Sequence, residues 1–297
     1  MIKLIAADMD GTLLNGIHTI DKETVATIQK VQSQGIRFVI ATGRIFKDVK
    51  EFLDKYDIHC EYLTMNGAEY YDQNGTCRQG IYIPKETARK VYDILRQFPN
   101  FNVEIYTDRG HFSADSRHKT LRGMLRRMAA IHQGLNTFRM LLNAAHNGHF
   151  QRMQYIRDIN AFFDGNIQVA KFITFTDVPE DIEELRGKLS TVDGLALSSS
   201  FRTNIEINDQ HATKGEALHH YIAENGIAVE EVMVIGDGQN DLSMFHAFPV
   251  HSAAMGNAIP EIKKCASFIT TDNNHSGAAR AMERALELNR TAVDDSN

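Results

Sequence analysis

The chain has 297 residues, 43% hydrophobic and 24% charged, with a formal net charge of −6. It is long enough for two domains and a sizeable core, and its composition is that of an ordinary globular protein. The acidic balance gives no global electrostatic reason to bind nucleic acid or an anionic membrane surface, and no segment is long and uncharged enough to span a bilayer.

The first element is an apolar run from Ile2 to Ala7, interrupted only by Lys3, which passes into Asp8-Met9-Asp10-Gly11-Thr12-Leu13-Leu14. Such a run, ended by acidic residues and a glycine, reads as a buried strand that delivers two carboxylates to a loop. It is too short for a signal peptide. Residues i and i+2 of a strand point to one side, so Asp8 and Asp10 can converge beyond its end. Close carboxylates repel, and a divalent cation or a shared proton relieves them. A tight turn closed by Asp10-Gly11-Thr12 accounts for the same residues equally well.

Asp21 can cap a helix whose apolar positions are Val25, Ile28 and Val31, with Gly35 closing it. Ile36 to Ala41 reads as a second buried strand ending at Thr42-Gly43-Arg44. A short strand–helix–strand crossover makes the two strands parallel and brings Asp8 and Thr42 to one sheet edge, where open α/β folds bind ligands. The 33 residues between Asp8 and Thr42 leave no room for a large lid. Thr42 offers a hydroxyl to an anion, or caps the helix near Ile45 to Leu53; Gly43 permits close backbone approach; Arg44 can fork onto a phosphate or carboxylate, or simply face solvent.

Tyr62 to Met65 and Ala68 to Tyr71 are strands joined by Asn66-Gly67, first of all a hairpin turn, a signal repeated at Asn74-Gly75. From about Pro84 the pattern becomes α+β. Glu86 to Phe98 is helical, Val103 to Tyr106 and His111 to Ala114 are short strands, and residues 117 to about 145 are helical or irregular. Phe172 to Phe175, Leu195 to Ser198 and Asn204 to Ile207 are strands, with a helix from Pro179 to Leu189. This stretch reads as a second, inserted domain. In it Leu121, Met124, Leu125 and Met128 form a packed helical face. Lys119, Arg122 and Arg126 line another side, either a solvated face or a hint of an anionic partner. His146 and His149 lack a nearby third ligand and make a poor metal site.

The first domain resumes at His211-Ala212-Thr213-Lys214-Gly215-Glu216. Thr213 and Glu216 have the spacing of a capping box, which puts Lys214 in the first turn of a helix, beside backbone N–H groups suited to an anion. A lysine there opposes the helix dipole, so an anionic neighbour explains it better than helix stability does, although taken alone it more often simply faces solvent. Val232 to Ile235 is a central strand ending in Gly236-Asp237-Gly238-Gln239-Asn240-Asp241. This is neither a dinucleotide fingerprint nor a P-loop nor an EF-hand. Asp237 can supply a hard oxygen ligand to Mg²⁺, and Asn240 and Asp241 can bind through water or orient their neighbours. Val250, Ala253 to Ala258 and Phe268 to Thr270 finish the sheet, a helix from Gly277 to Leu288 closes it, and Thr291 to Asn297 form a frayed polar tail. Cys60, Cys77 and Cys265 are odd in number and far apart, without zinc-site spacing, so a reducing cytoplasm is the expected location.

Taken together, Asp-x-Asp-Gly-Thr-Leu-Leu, Ala-Thr-Gly-Arg at 41 to 44, Thr-Lys-Gly-Glu-Ala-Leu at 213 to 218 and Gly-Asp-Gly-Gln-Asn-Asp at 236 to 241 resemble, in order, the four motifs of the haloacid dehalogenase-like phosphatases, most of all the Cof-type branch. The resemblance implies an α/β fold with a Rossmann-like parallel-sheet core over 1–84 and 210–297. It also implies an inserted α+β cap over 85–209 that selects the substrate. It implies a Mg²⁺-dependent phosphatase acting on a small phosphorylated metabolite, a sugar phosphate or a cofactor phosphate, with no nucleic-acid or membrane partner. Asp8 would be the nucleophile and Asp10 the general acid and base. Asp8, Asp10 (through its main-chain carbonyl) and Asp237 would hold the metal, with Asn240 and Asp241 around them. Thr42 and Lys214 would hold phosphoryl oxygens, and Gly11, Gly43, Arg44 and Asn66 would lie at the substrate. Asp10 separates phosphatases and phosphomutases from the dehalogenases and phosphonatases of the superfamily. A phosphomutase and a non-catalytic phosphometabolite-binding protein are the alternatives.

Overall fold

The computed structural model describes residues 1–131, 151–176, 178, 180–199 and 203–294. These divide into two compact units, Met1–Ile81 with His211–Asn297, and Tyr82–Gln210 between them in the chain.

The first unit is built on an eight-stranded sheet. In chain order its strands are β1 (Leu4–Ala7), β2 (Arg37–Ala41), β3 (Glu61–Thr64), β4 (Glu69–Tyr71), β5 (Cys77–Gly80), β12 (Val232–Gly236), β13 (His251–Ala254) and β14 (Phe268–Ile269). Their spatial order is β14-β13-β12-β1-β2-β3-β4-β5. From β14 through β3 all neighbours are parallel; β4 and β5 add antiparallel hairpins at one edge. All four residues of β1 are buried, as a strand covered on both faces must be. β1 pairs with β2 on one side and β12 on the other, so the chain leaves it in opposite directions. That is the switch point beyond which α/β sheets open a crevice.

Local chemistry sets the elements that flank it. Asp21 accepts the Thr24 N–H at 2.9 Å at the start of helix Lys22–Ser33, and Gly35, at φ +79°, turns the chain out of that helix. Thr213 accepts the Glu216 N–H at 3.3 Å at the start of helix Lys214–Asn225. Helix Phe46–Leu53 begins after Ile45 without a side-chain cap, so Thr42 does not cap it. The closing helix runs from Gly277 to Asp294, past the expected end at Leu288. Asn289 explains the extension: its amide bonds both Ile2 N–H, at 2.5 Å, and Ile2 C=O, at 2.8 Å, and pins that turn to the start of β1.

The second unit holds a six-stranded sheet of β6 (Asn102–Thr107), β7 (Gly110–Ser113), β8 (Gln154–Tyr155), β9 (Val169–Phe175), β10 (Leu195–Ser198) and β11 (Asn204–Asp209), in the order β10-β11-β9-β6-β7-β8. Helices Lys85–Leu95 and Glu180–Leu189 set Ala88, Val91, Leu95, Leu185 and Leu189 against Val103, Ile105, Phe172, Ile205 and Ile207. β9 starts three residues before the expected Phe172, because Lys171 sits inside the strand; its ammonium is buried and neutralised by Glu206 Oε2 at 2.8 Å. Helix Ile159–Asp164, capped by Asp158, was not anticipated. Lys119 is paired with Asp115 at 2.7 Å, so the basic stripe is at that point an intramolecular ion pair. The side chains of Met124, Arg126 and Met128, and residues Pro179, His146 and His149, lie outside the described residues. The three cysteines are free, and no helix among the described residues is long and apolar enough to cross a membrane.

Candidate active site

Three strand ends and one helix start meet at the C-terminal edge of the first sheet. Asp8 directly follows β1, and its N–H extends the ladder by donating to Ile235 C=O at 2.9 Å. Asp237 follows β12, Thr42 follows β2, and Lys214 opens helix Lys214–Asn225.

Lys214 is fully buried. Its Nζ donates to Asp8 Oδ1 and to Asp241 Oδ1, each at 2.6 Å. Asp241 Oδ2 in turn accepts the N–H groups of Asp237 and Gly238, both at 2.9 Å, so one carboxylate fixes the lysine and the loop that carries Asp237. Asp237 Oδ1 accepts from the Thr12 hydroxyl at 2.9 Å. Asn257 Nδ2 donates to Gly11 C=O at 2.8 Å and reaches Asp237 Oδ2 at 3.4 Å. Gly11 is at φ +79°, and a Cβ there would collide with the Asp237 carboxylate, so only glycine lets the loop after Asp10 pass so close.

The carboxylates of Asp8, Asp237 and Asp241 lie within 4.8 Å of one another. Burial drives the Asp8 carboxyl well above the usual carboxylate range; Lys214 opposes this, while Asp241, Asp237 and Asp10 add to it. Burial, with the charge of Asp241, pushes Asp237 up to about 7 despite the Thr12 hydrogen bond. Burial works against charge on Lys214 too, yet Asp241 and Asp8 outweigh it and hold the ammonium more firmly protonated than a free lysine. Three carboxylates facing one buried ammonium leave negative charge in excess, and a hard divalent cation bound by oxygen would relieve it. The donor set fits Mg²⁺.

Asp10 is placed differently from Asp8. Its carboxylate stands outside the three-carboxylate group and accepts a fork from Arg44, Nε to Oδ2 at 2.7 Å and Nη2 to Oδ1 at 2.5 Å. With its carboxylate turned to Arg44 and outside that group, the metal contact expected of Asp10 is the one through its main-chain carbonyl. The chain does turn tightly after Asp10, with Leu14 N–H donating to Met9 C=O at 2.9 Å, while the Asp10 carboxylate is bound to Arg44. The hydrogen bond and charge of Asp10 raise the pKa of Arg44 against the effect of burial.

The Thr42–Arg44 loop is held from the β3–β4 connection. Asn66 N–H donates to Thr42 C=O at 2.9 Å, Met65 N–H to Arg44 C=O at 3.0 Å, and Arg44 N–H to the Thr42 hydroxyl at 3.3 Å. Asn66 is at φ +64°, consistent with the hairpin reading, and is also buried, with its Oδ1 accepting from Asn240 Nδ2 at 3.3 Å. Asn240 thus reaches across to the hairpin. Gly43 lies between Thr42 and Arg44 in the same loop.

The structure therefore brings Asp8, Lys214, Asp237 and Asp241 into one hydrogen-bonded group and links Thr42, Asn66 and Asn240 beside it. Two residues that bond to this group were not singled out as site residues from sequence. Thr12 lay inside a quoted motif without a role, and Asn257 carries no charge and follows a strand by three residues, a position with no spacing signal.

The chain is similar to known proteins over nearly its whole length. The family model for haloacid dehalogenase-like hydrolases matches residues 5–282. Phosphatase YwpJ of Bacillus subtilis is 30% identical over 290 residues, covering 96% of this chain and 100% of that protein. The 5-amino-6-(5-phospho-D-ribitylamino)uracil phosphatase YwtE of Bacillus subtilis is 30% identical over 285 residues, covering 96% of this chain and 98% of that protein. Among solved structures, a haloacid dehalogenase-like hydrolase from B. subtilis superposes with a TM-score of 0.83 at 29% identity, covering 95% of this chain and 99% of that one. On that family match and these relatives, the chain belongs to the haloacid dehalogenase-like hydrolase family.

Proposed function

We propose that this hydrolase is a Mg²⁺-dependent phosphatase that cleaves a small phosphorylated metabolite through an aspartyl-phosphate on Asp8. The observation that carries the reading is the Asp8–Lys214 pair. Lys214 takes Oδ1 of a buried carboxylate at a strand end, and Oδ2 accepts from no group among the described residues. An oriented carboxylate with one oxygen engaged and one available is a nucleophile awaiting an electrophile.

In the first step Asp8 Oδ2 bonds to phosphorus, the bond from phosphorus to the leaving oxygen breaks, and Asp10 gives its proton to that oxygen. In the second step Asp10 takes a proton from water as the water oxygen bonds to phosphorus and the Asp8–phosphorus bond breaks. The sum is monoester plus water giving alcohol plus phosphate. Lys214 and Thr42 hold phosphoryl oxygens, contributing position and charge rather than new bonds. Asp8, Asp237 and the main-chain carbonyl of Asp10 would hold Mg²⁺, with Asp241 and Asn240 keeping the loop in place. The cation supplies charge compensation for the phosphoryl oxygens. Gly11, Gly43 and Asn66 border the substrate's phosphate, and the Tyr82–Gln210 unit selects the remainder of the substrate. The three free cysteines suit a reducing cytoplasm.

The substrate class proposed is a sugar phosphate or a cofactor phosphate, and the small phosphorylated compound in the name of YwtE supports a metabolite of that size. The test is phosphate release from a panel of these by wild type and Asp8→Asn, each with Mg²⁺ and with chelator. Metal-dependent release lost in Asp8→Asn is the expected result; release retained in that variant removes Asp8 as nucleophile. Transfer of phosphate to a second sugar hydroxyl instead of water, read by product analysis, would make the enzyme a phosphomutase.

A further inference from the structure

The sequence offered Arg44 as a substrate contact. Its geometry gives it another task. Both oxygens of Asp10 are taken by one guanidinium, at 2.7 and 2.5 Å. Arg44 is itself fixed at both ends of its main chain, its carbonyl to Met65 N–H at 3.0 Å and its N–H to the Thr42 hydroxyl at 3.3 Å. The Asp10 side chain is 45% exposed, so nothing else around it defines its orientation so fully.

We propose that Arg44 is the positioning residue of Asp10, holding the carboxylate by a two-point fork at the mouth of the site and releasing one of its oxygens to the leaving group during turnover. This rests on the reading of Asp10 as general acid and base. A planar guanidinium fixes both the distance and the plane of a carboxylate, which a lysine ammonium does not. One of the two N–H···O contacts must open, and the freed oxygen must take a proton from water, before Asp10 can give that proton to the leaving oxygen; the other contact can stay closed and act as a pivot. The pair thus ties the β2 end, through Thr42-Gly43-Arg44, to the loop after β1. A phosphoryl group held at Thr42 and Asp8 sits between the two segments that the pair joins.

The role predicts a dependence on the leaving group. An alkyl phosphate expels a basic alkoxide and needs the proton from Asp10; p-nitrophenyl phosphate expels a weakly basic phenolate and needs it far less. Arg44→Ala should lower kcat on an alkyl phosphate by about tenfold or more, part of the general-acid contribution. The loss on p-nitrophenyl phosphate should be several-fold smaller, and KM for both should stay within about twofold. Arg44→Lys should recover only part of kcat, because one ammonium cannot hold two oxygens in a plane. An increase in KM of the same size for both esters, with kcat intact, would show that Arg44 binds the phosphate and would overturn the proposal. So would full recovery by Arg44→Lys.

A second readout needs no turnover. In protein labelled with ¹³C at aspartate side-chain carboxyls, the Asp10 resonance, assigned with Asp10→Asn, should move in Arg44→Ala. An unmoved resonance would mean that the pair does not form in solution, and the proposal would fall. If wild type released no phosphate from either ester, the phosphatase reading would fail on its own, and the resonance would still decide whether Arg44 holds Asp10.

Discussion

Lys214 and Asp8 stand 206 positions apart in the chain and 2.6 Å apart in the structure, with the lysine side chain fully enclosed. A buried ammonium is tolerated only when its charge is met, and here two carboxylates meet it. Replacing the lysine leaves Asp8 and Asp241 facing each other without a counter-charge. Lys214→Met should therefore lower unfolding free energy by about 3 kcal/mol and abolish phosphate release. Urea denaturation with chelator checks the first, and Mg²⁺ should restore part of the loss by supplying positive charge to the same carboxylates. Unchanged stability in the variant would mean that the pair carries little of the local electrostatics.

The raised pKa of Asp237, about 7, makes the site sensitive to pH. A folded-state pKa above the unfolded one means that the metal-free folded protein binds a proton that the unfolded chain has lost. That contribution to stability is full below the unfolded pKa and disappears as pH rises from about 4 to about 7. Melting with chelator should show wild type losing stability over that window, and Asp237→Asn, which has no carboxylate there, losing less. Mg²⁺ competes with the same proton, so its affinity should climb by up to about tenfold per pH unit as pH rises toward 7. Titration calorimetry at several pH values measures this; affinity independent of pH would contradict the assignment of Asp237 as a ligand.

Gly11 is where backbone conformation and metal site meet. Its φ of +79° disfavours any side chain, and its Cβ position is already filled by Asp237. Gly11→Ala should cost about 1–2 kcal/mol of stability from the left-handed backbone alone. By displacing the Asp237 carboxylate it should also raise the Mg²⁺ concentration needed for half-activation by about tenfold. A variant that loses stability but keeps its Mg²⁺ requirement would show that the loop shifts while Asp237 stays.

Much of this site was readable before the fold was known, for a physical reason. Asp8, Thr42 and Asp237 each end a short apolar run that reads as a buried strand, and parallel strands joined by short crossovers deliver their ends to one edge. Lys214 was readable only together with the other motifs, because a lysine in the first turn of a helix opposes the dipole but can by itself simply face solvent. Interactions made by side chains across the site were not readable. Periodicity gives no sign that Asp241 would bond Lys214 directly instead of acting through water, or that Asp10 would turn to Arg44. The closing helix outran its expected end because a single asparagine, Asn289, found the backbone of Ile2 at the other end of the chain. In the second unit β9 was cut short in the reading by Lys171, whose buried partner Glu206 lies 35 positions away.

Asn257 shows what such long-range contacts contribute to function. Its amide donates to Gly11 C=O at 2.8 Å and lies 3.4 Å from Asp237 Oδ2, while its Oδ1 accepts the Asn273 N–H at 3.0 Å. One exposed side chain thus fastens the loop after β13 to the loop after β1, beside a proposed metal ligand. Because it is exposed, removing it leaves groups that water can satisfy, so Asn257→Ala should change stability by less than about 1 kcal/mol. Removing it also frees Asp237 and Gly11 from their shared anchor, and the Mg²⁺ concentration for half-maximal phosphate release should rise by about tenfold. Asn257→Asp should be worse than alanine, since it puts a carboxylate where a donor stood and repels Asp237. At saturating Mg²⁺ the alanine variant should regain most of its kcat, because the anchor orders the ligand and takes no part in bond making. A loss of kcat that no Mg²⁺ concentration restores would instead assign Asn257 to the loop that carries Asp10.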